Sequence, residues 1–239
     1  RHAELDRWIL SRLHNLIREY RGFMDDYEPT QAARCVEQFV VDDLSNWYVR
    51  LSRRRFWKSE SGSDKHAAFE TLYTCLLTVS QLMASLAPFM AEWLYKNLTD
   101  PFSEHPQNNS VHLSDLPEHD PSLVEEVLER RMDLAQRICS MVLALRKASR
   151  IRVRQPLRRV LVPVFSGEAH QDVAAVEELI RAEVNVKQVR CIPADNDIVK
   201  KKLRPNFRTL GKKLGKHMKQ AADAIAQWDA EAINKLERG

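Results

Sequence analysis

From Leu5 to Met24 the apolar residues Leu5, Trp8, Ile9, Leu13, Leu16, Ile17, Tyr20 and Met24 recur every three or four positions, the stripe of an amphipathic helix. Gly22 and the run Asp25-Asp26-Tyr27-Glu28-Pro29 predict its end, and Thr30 the N-cap of the next helix. That second helix is striped by Ala33, Val36, Val40, Leu44, Trp47 and Leu51 and runs into Arg53-Arg54-Arg55-Phe56-Trp57-Lys58. Ser59 to Asp64 is polar and predicts a flexible connection. A third helix follows, striped by Phe69, Leu72, Leu76, Val79, Met83 and Leu86. Pro88 interrupts it, and a short helix restarts through Phe89, Trp93 and Leu94. Residues 99–120, with Pro101, Pro106 and Pro117, predict an acidic loop. Pro121 and Ser122 open a long helix through Val127, Leu134, Ile138, Val142 and Leu145. Each helix can bury its stripe only against the others, so an antiparallel helical bundle is expected.

The pattern changes near Arg150. Arg158-Arg159-Val160-Leu161-Val162-Pro163-Val164 is short and β-branched, and predicts a strand. Residues 168–183 predict a helix with Val173, Val176, Leu179 and Ile180 on one face. Val186 to Ile192 alternates apolar and polar, as a half-buried strand does. Helices are expected over about 212–226 and 229–237. The fold class is therefore mainly α: a helical bundle over 1–149 followed by a small, basic α+β subdomain over 150–239.

Composition sharpens this picture. Only 6 glycines and 10 prolines in 239 residues argue against a loop-rich chain. No apolar run approaches the ~20 residues of a membrane span, and the charged start lacks a signal peptide's apolar segment. The absence of an initiating Met, in a chain that opens inside a helix, reads as a fragment of a longer protein. Cys35, Cys75, Cys139 and Cys191 lie far apart with no C-x-x-C pair, which predicts separate reduced thiols in a cytoplasmic protein and no metal site. Glycine-rich phosphate loops, nucleophile elbows and H-E-x-x-H motifs are missing, so no catalytic residues can be assigned.

The net charge of +4 conceals an asymmetry. Residues 1–149 hold 18 Lys+Arg against 22 Asp+Glu, and residues 150–239 hold 19 against 11. A basic C-terminal third suits a polyanion. Three segments concentrate the positive charge. The first is Arg50 with Arg53, Arg54, Arg55, Trp57 and Lys58, where guanidinium forks suit phosphates and an indole suits a base. Alternatively these arginines are solvated or pair with the acidic loop, while Trp47 is core. The second, from Arg146 to Arg159, holds seven positive charges and no negative one, and offers Arg152, Arg154 and Arg158. The third runs from Lys200 to Lys216 and offers Lys201, Asn206, Arg208, Lys212 and Lys213. Gly211 and Gly215, four apart, would leave one helical face bare for a close approach.

These segments resemble the isoleucyl-tRNA synthetases. Leu5-Asp6-Arg7-Trp8-Ile9-Leu10-Ser11-Arg12-Leu13 is similar to the start of the anticodon-binding bundle shared by the isoleucyl, valyl and leucyl enzymes. Asp43 to Arg50, Arg53 to Trp57, Arg152 to Leu157 and Arg204 to Gly211 resemble the isoleucyl enzymes in particular. The resemblance implies a C-terminal piece that holds the anticodon stem-loop of isoleucine tRNA, without catalytic residues or a cofactor of its own. ATP and Mg would belong to the catalytic domain of the same polypeptide. A monomer with no membrane partner is expected. Two alternatives stand beside this: the equivalent domain of a valyl or leucyl enzyme, and a helical module that docks an acidic protein.

Overall fold

The computed structural model describes residues 3–57, 62–102, 109–164, 166–193, 206, 210, 215–226 and 228. The chain divides into two compact units, Arg1–Gln136 and Arg137–Gly239.

In the first unit α1 (Glu4–Asp25) buries Trp8, Ile9, Leu13, Leu16, Ile17 and Tyr20, as its stripe predicts. It ends where Tyr27 turns into the left-handed region (φ 58°), with the Glu28 amide bonded back to the Phe23 carbonyl. Helix α2 (Pro29–Gln38) starts two residues earlier than an N-cap at Thr30 would allow, with Glu28 as its N-cap. Pro29 stands at its first turn, where a missing N–H costs nothing. The helix continues without a break as a π-helical stretch, Phe39–Val49. The wider turn explains the buried series Val36, Phe39, Asp43, Leu44, Trp47 and Tyr48, which departs from the predicted near-heptad spacing. A five-residue helix α3 (Arg53–Trp57) follows.

Helix α4 (Ser63–Met83) corrects the sequence reading. Its buried face is Ala68, Thr71, Cys75, Thr78, Val79 and Leu82, while Phe69 is exposed. Of the predicted stripe Val79 is buried, whereas Phe69, Leu72, Leu76 and Met83 each lie one position beyond a buried residue. Helix α5 (Pro88–Thr99) buries Ala91 and exposes Phe89, Met90 and Trp93. Helix α6 (Glu126–Ala148) buries Leu128, Met132, Ala135, Ile138, Cys139 and Val142, so that of the predicted series Ile138 and Val142 are core while Val127 and Leu145 face outward. The division between the units falls within α6, ahead of the change of pattern at Arg150.

A polar seam crosses the first unit. The Ser11 hydroxyl donates to the buried Glu129 carboxylate and accepts the Glu125 amide at 2.8 Å. Asn15 Nδ2 donates to the same carboxylate at 2.8 Å, and Arg12 bridges Glu129 and Asp43. Nearby, His119 Nδ1 donates to the His14 carbonyl at 2.9 Å, and the Asp120 amide donates to His14 Nδ1 at 3.1 Å. An acceptor Nδ1 cannot be protonated. Burial accordingly holds His14 below the ordinary histidine value of 6.5, and His119 adds to this, against the pull of Asp120. Because the unfolded chain takes up that proton first, His14 contributes stability above pH about 6.5 that is lost as pH falls through its lowered pKa. Urea midpoints measured between pH 7.5 and 5 should therefore fall with pH, and should fall less in His14→Asn. An equal slope in both proteins would refute the assignment.

In the second unit β1 (Val160–Val164) and β2 (Val189–Pro193) form a two-stranded parallel sheet with Val162 opposite Cys191. A parallel pair needs a crossover connection. Here it is α7 (Gly167–Ala175) and α8 (Glu177–Val184), two helices broken at Val176 where one was predicted. Val162, Val173, Val176, Ile180, Val184, Val189 and Ile192 are buried. A short 3-10 turn, Gly215–His217, leads into α9 (Met218–Ala226). Gly215 takes φ +48° at the start of that turn, so it contributes no bare face to an α-helix. Gly211 and the helix expected over 229–237 lie outside the described residues. No helix among the described residues is long and apolar enough to cross a membrane.

Candidate nucleic-acid interface

The short helix α3 divides its five residues between two faces. Arg55 turns inward. Its Nη1 and Nη2 bond Asp6 Oδ1 and Oδ2 at 2.6 and 2.8 Å, and its Nε bonds Asp64 Oδ2 at 3.0 Å. Asp6 is fully buried, and also accepts the Tyr48 hydroxyl at 2.8 Å and the Ala3 amide at 3.2 Å. Burial alone would raise the Asp6 carboxyl. The hydrogen bonds of Arg55 and Tyr48 and the Arg55 charge outweigh it and hold the group below its ordinary value. Phe56 also turns inward, edge-on to Phe69 at 5.1 Å and to Tyr48 at 6.4 Å.

With Arg55 and Phe56 anchored, Arg53, Arg54 and Trp57 are left on the outer face, spaced i, i+1 and i+4. The two arginines are exposed and no described residue pairs with their side chains; Trp57 is 80% exposed. An indole this exposed beside two unpaired guanidinium groups is a surface that can bond phosphate and stack on a base. The four arginines grouped together by sequence therefore separate. Arg55 is the anchor of α3, because its donors are occupied by carboxylates. Arg50 Nε bonds the Asn46 carbonyl at 2.7 Å, and its guanidinium lies 5.8 Å from the Trp47 ring centre. Trp47 is itself core. Lys58 lies outside the described residues.

In the second unit the loop after α6 carries Arg150, Arg152, Arg154, Arg158 and Arg159, all exposed and none paired with a described residue. Arg146, counted with them by charge, is instead buried. Of the third segment, Asn206 is exposed and its carbonyl accepts the Leu210 amide at 2.9 Å. Lys201, Arg208, Lys212 and Lys213 lie outside the described residues.

Asp6, Tyr48 and Asp64, which set the geometry of α3, were missed by reading the sequence. Asp6 carried the one available signal, an acidic residue on the apolar face of α1 between Leu5 and Trp8.

Other chemistry is scarce. Among the described residues no group of three His, Cys, Asp or Glu side chains could hold a metal ion. Cys75, buried and near the Asp6 charge, has its thiol pushed up to about 12, which keeps it protonated and inert. A cleft of about 260 Å³ between α1 and α2 is lined by Glu19 and Asp43 as well as Arg12 and Asn15. Its carboxylates make it a poor receptor for phosphate.

Comparisons with known proteins identify the family. A model of the family described as the anticodon-binding domain of tRNA ligase matches residues 6–161. The chain is 48% identical to the isoleucine–tRNA ligase of Cytophaga hutchinsonii over 236 residues, 99% of this chain and 21% of that protein. It is 47% identical to that of Porphyromonas gingivalis over 98% of this chain and 20% of the relative. The Thermus thermophilus ligase is 39% identical over 93% of this chain and 21% of its own length. The chain thus spans about a fifth of the length of the curated relatives it matches. With most of its length matched by that family model, the chain belongs to the anticodon-binding domains of tRNA ligases.

Proposed function

We propose that this chain binds the anticodon stem-loop of isoleucine tRNA, as the C-terminal part of a cytoplasmic isoleucine–tRNA ligase. The observation that carries the reading is the outer face of α3, where Arg53 and Arg54, unpaired among the described residues, share the face with an exposed Trp57, within a match to anticodon-binding domains. RNA sequence is read most easily in loops whose bases can be splayed out and stacked on aromatic or guanidinium planes. Phosphate contacts from Arg53, Arg54, Arg152, Arg154 and Arg158 would fix the register, and a few side chains would read bases. Asn206, Arg208, Lys201, Lys212, Lys213 and Lys58 are assigned to tRNA contact in this reading as well.

Charging tRNA with isoleucine, and the ATP and Mg that serve it, belong in this proposal to the remainder of the parent polypeptide. The chain itself binds and positions, acts as a monomer and performs no catalytic step. The isoleucine assignment, over the valyl or leucyl one, is supported by relatives that are isoleucine–tRNA ligases at 45–48% identity over nearly the whole chain.

The test is titration of the chain with the isoleucine anticodon stem-loop and with a scrambled-anticodon control, at several salt concentrations. Tighter binding of the cognate loop, weakening with salt by roughly 0.7–0.9 log units per log unit of salt for each phosphate bound, is expected. Equal affinity for both loops would remove base reading. Tighter binding of an acidic peptide than of either RNA would favour a protein-docking module instead.

A further inference from the structure

We infer that Arg146 is a positioning residue for anion binding: buried itself, it shapes the loop that presents Arg152 and Arg154. Arg146 is 3% exposed, although it sits among the most basic residues of the chain. Its Nη1 donates to the carbonyls of Arg152 and Gln155, both at 3.1 Å. Its Nη2 donates to the carbonyls of Val184 at 2.8 Å and Asn185 at 3.0 Å. One guanidinium thus ties the loop after α6 to the C-terminal end of α8 through four backbone oxygens, and no carboxylate of the described residues pairs with it.

The backbone around it is built to match. Arg150 turns left-handed at φ 56°, and the Ile151 amide bonds back to the Arg146 carbonyl at 2.9 Å, which closes the end of α6. Asn185, left-handed at φ 51°, ends α8, and its Nδ2 donates to the Val153 carbonyl at 2.9 Å. The Gln155 amide bonds the Arg152 carbonyl, and the Leu157 amide bonds the Asn185 carbonyl. Three carbonyls of the loop, those of residues 152, 153 and 155, are therefore tied down by side-chain donors. The side chains of Arg150, Arg152 and Arg154 are exposed, and Val153 between them is 45% exposed.

Two physical consequences point to a ligand. A loop fixed in this way does not have to be ordered when an anion arrives, so less binding energy is lost to ordering. In addition, a buried cation whose terminal nitrogens are held by carbonyl dipoles has no counter-charge of its own among the described residues. A buried carboxylate partner would cancel its charge; the dipoles leave that charge to add to the positive potential of the loop. Stabilising the loop alone did not require a cation, because a neutral donor bonds carbonyls too.

The inference rests on the proposed tRNA reading for the identity of the anion, and the experiment separates the two. Wild type, Arg146→Lys, the pair Arg152→Ala with Arg154→Ala, and the triple variant are titrated with the isoleucine anticodon stem-loop and, separately, with inorganic polyphosphate. Arg146→Lys keeps the charge but cannot span four carbonyls. It should weaken binding about tenfold in the wild-type background and have little further effect once Arg152 and Arg154 are gone, since coupled residues are non-additive. Unchanged affinity for both ligands, or the same loss in both backgrounds, would overturn the inference. Should Arg146→Lys fail to fold, Asn185→Gly frees only the Val153 carbonyl while keeping the left-handed backbone. A loss of about threefold, again confined to the wild-type background, is then expected, and its absence refutes the positioning role. Coupling seen with polyphosphate but no preference for the stem-loop would keep Arg146 in its role and remove the tRNA reading.

Discussion

Asp6→Ala should destabilise the chain by about 3–5 kcal/mol, the range found when one partner of a buried ion pair is removed. Asp6 is fully buried, the Arg55 side chain is 17% exposed, and the two are joined by paired hydrogen bonds of 2.6 and 2.8 Å. The alanine variant takes from the inner guanidinium its buried carboxylate partner and frees the buried Tyr48 hydroxyl from one of its acceptors. Urea unfolding checks this directly, as a lowered midpoint with an unchanged slope. The double variant with Arg55→Ala should be much less unstable than the two single effects summed, because it removes the orphaned charge as well as the bond. Full additivity would mean that the pair does not act as a unit. The acid side gives an independent check. Since the folded Asp6 pKa lies below its ordinary value of 3.8, its contribution is complete above that value and is lost as pH falls below it. Wild type should therefore lose more stability than Asp6→Asn on going from pH 6 to pH 3.

Arg53→Ala combined with Arg54→Ala should lower stem-loop affinity roughly tenfold or more for each arginine–phosphate bond removed. The same change should reduce the salt slope by about 0.7–0.9 for each phosphate no longer neutralised. Neither guanidinium has a partner among the described residues, so urea stability should move by less than about 0.5 kcal/mol. Trp57→Ala offers the contrast. Losing a stacked base would weaken binding by roughly 1–3 kcal/mol with the salt slope unchanged, because no charge is removed. Arg55→Ala should instead reduce stability and affinity together, since it unseats α3. Wild-type affinity in the Arg53/Arg54 double variant would exclude the outer face of α3 from the interface.

The periodicity of the apolar residues was enough to reveal α1, whose stripe is buried from Trp8 to Tyr20, and to place the second unit's two strands near their true positions. It failed where helices meet closely. On α4 the burial of Ala68, Thr71, Cys75 and Thr78 beside an exposed Phe69 depends on how near the neighbouring backbone comes. Hydrophobicity along one helix does not encode that distance. The π-helical stretch was equally hidden, since it shifts the buried face of Phe39–Val49 without any glycine or proline to mark it. On α6 the buried series Leu128, Met132, Ala135, Cys139 and Val142 does extend by regular spacing to Arg146. Treating Arg146 only as a charge concealed it.

By itself the sequence determined that the chain is mainly helical, that positive charge collects in three segments, and that two of these adjoin helix ends. Those properties are local, fixed by spacing along the chain and by the charge of each residue. Only the tertiary structure decided which arginines are offered outward. Arg53, Arg54 and Arg55 are consecutive and chemically identical, yet Arg55 alone meets Asp6, a carboxylate 49 residues away in the sequence. Likewise Arg146 and Arg152 differ in role because one reaches the carbonyls at the end of α8 and the other does not. The partner of a charge is set by distance and burial in the folded chain, and these arise from long-range packing rather than from the order of residues nearby.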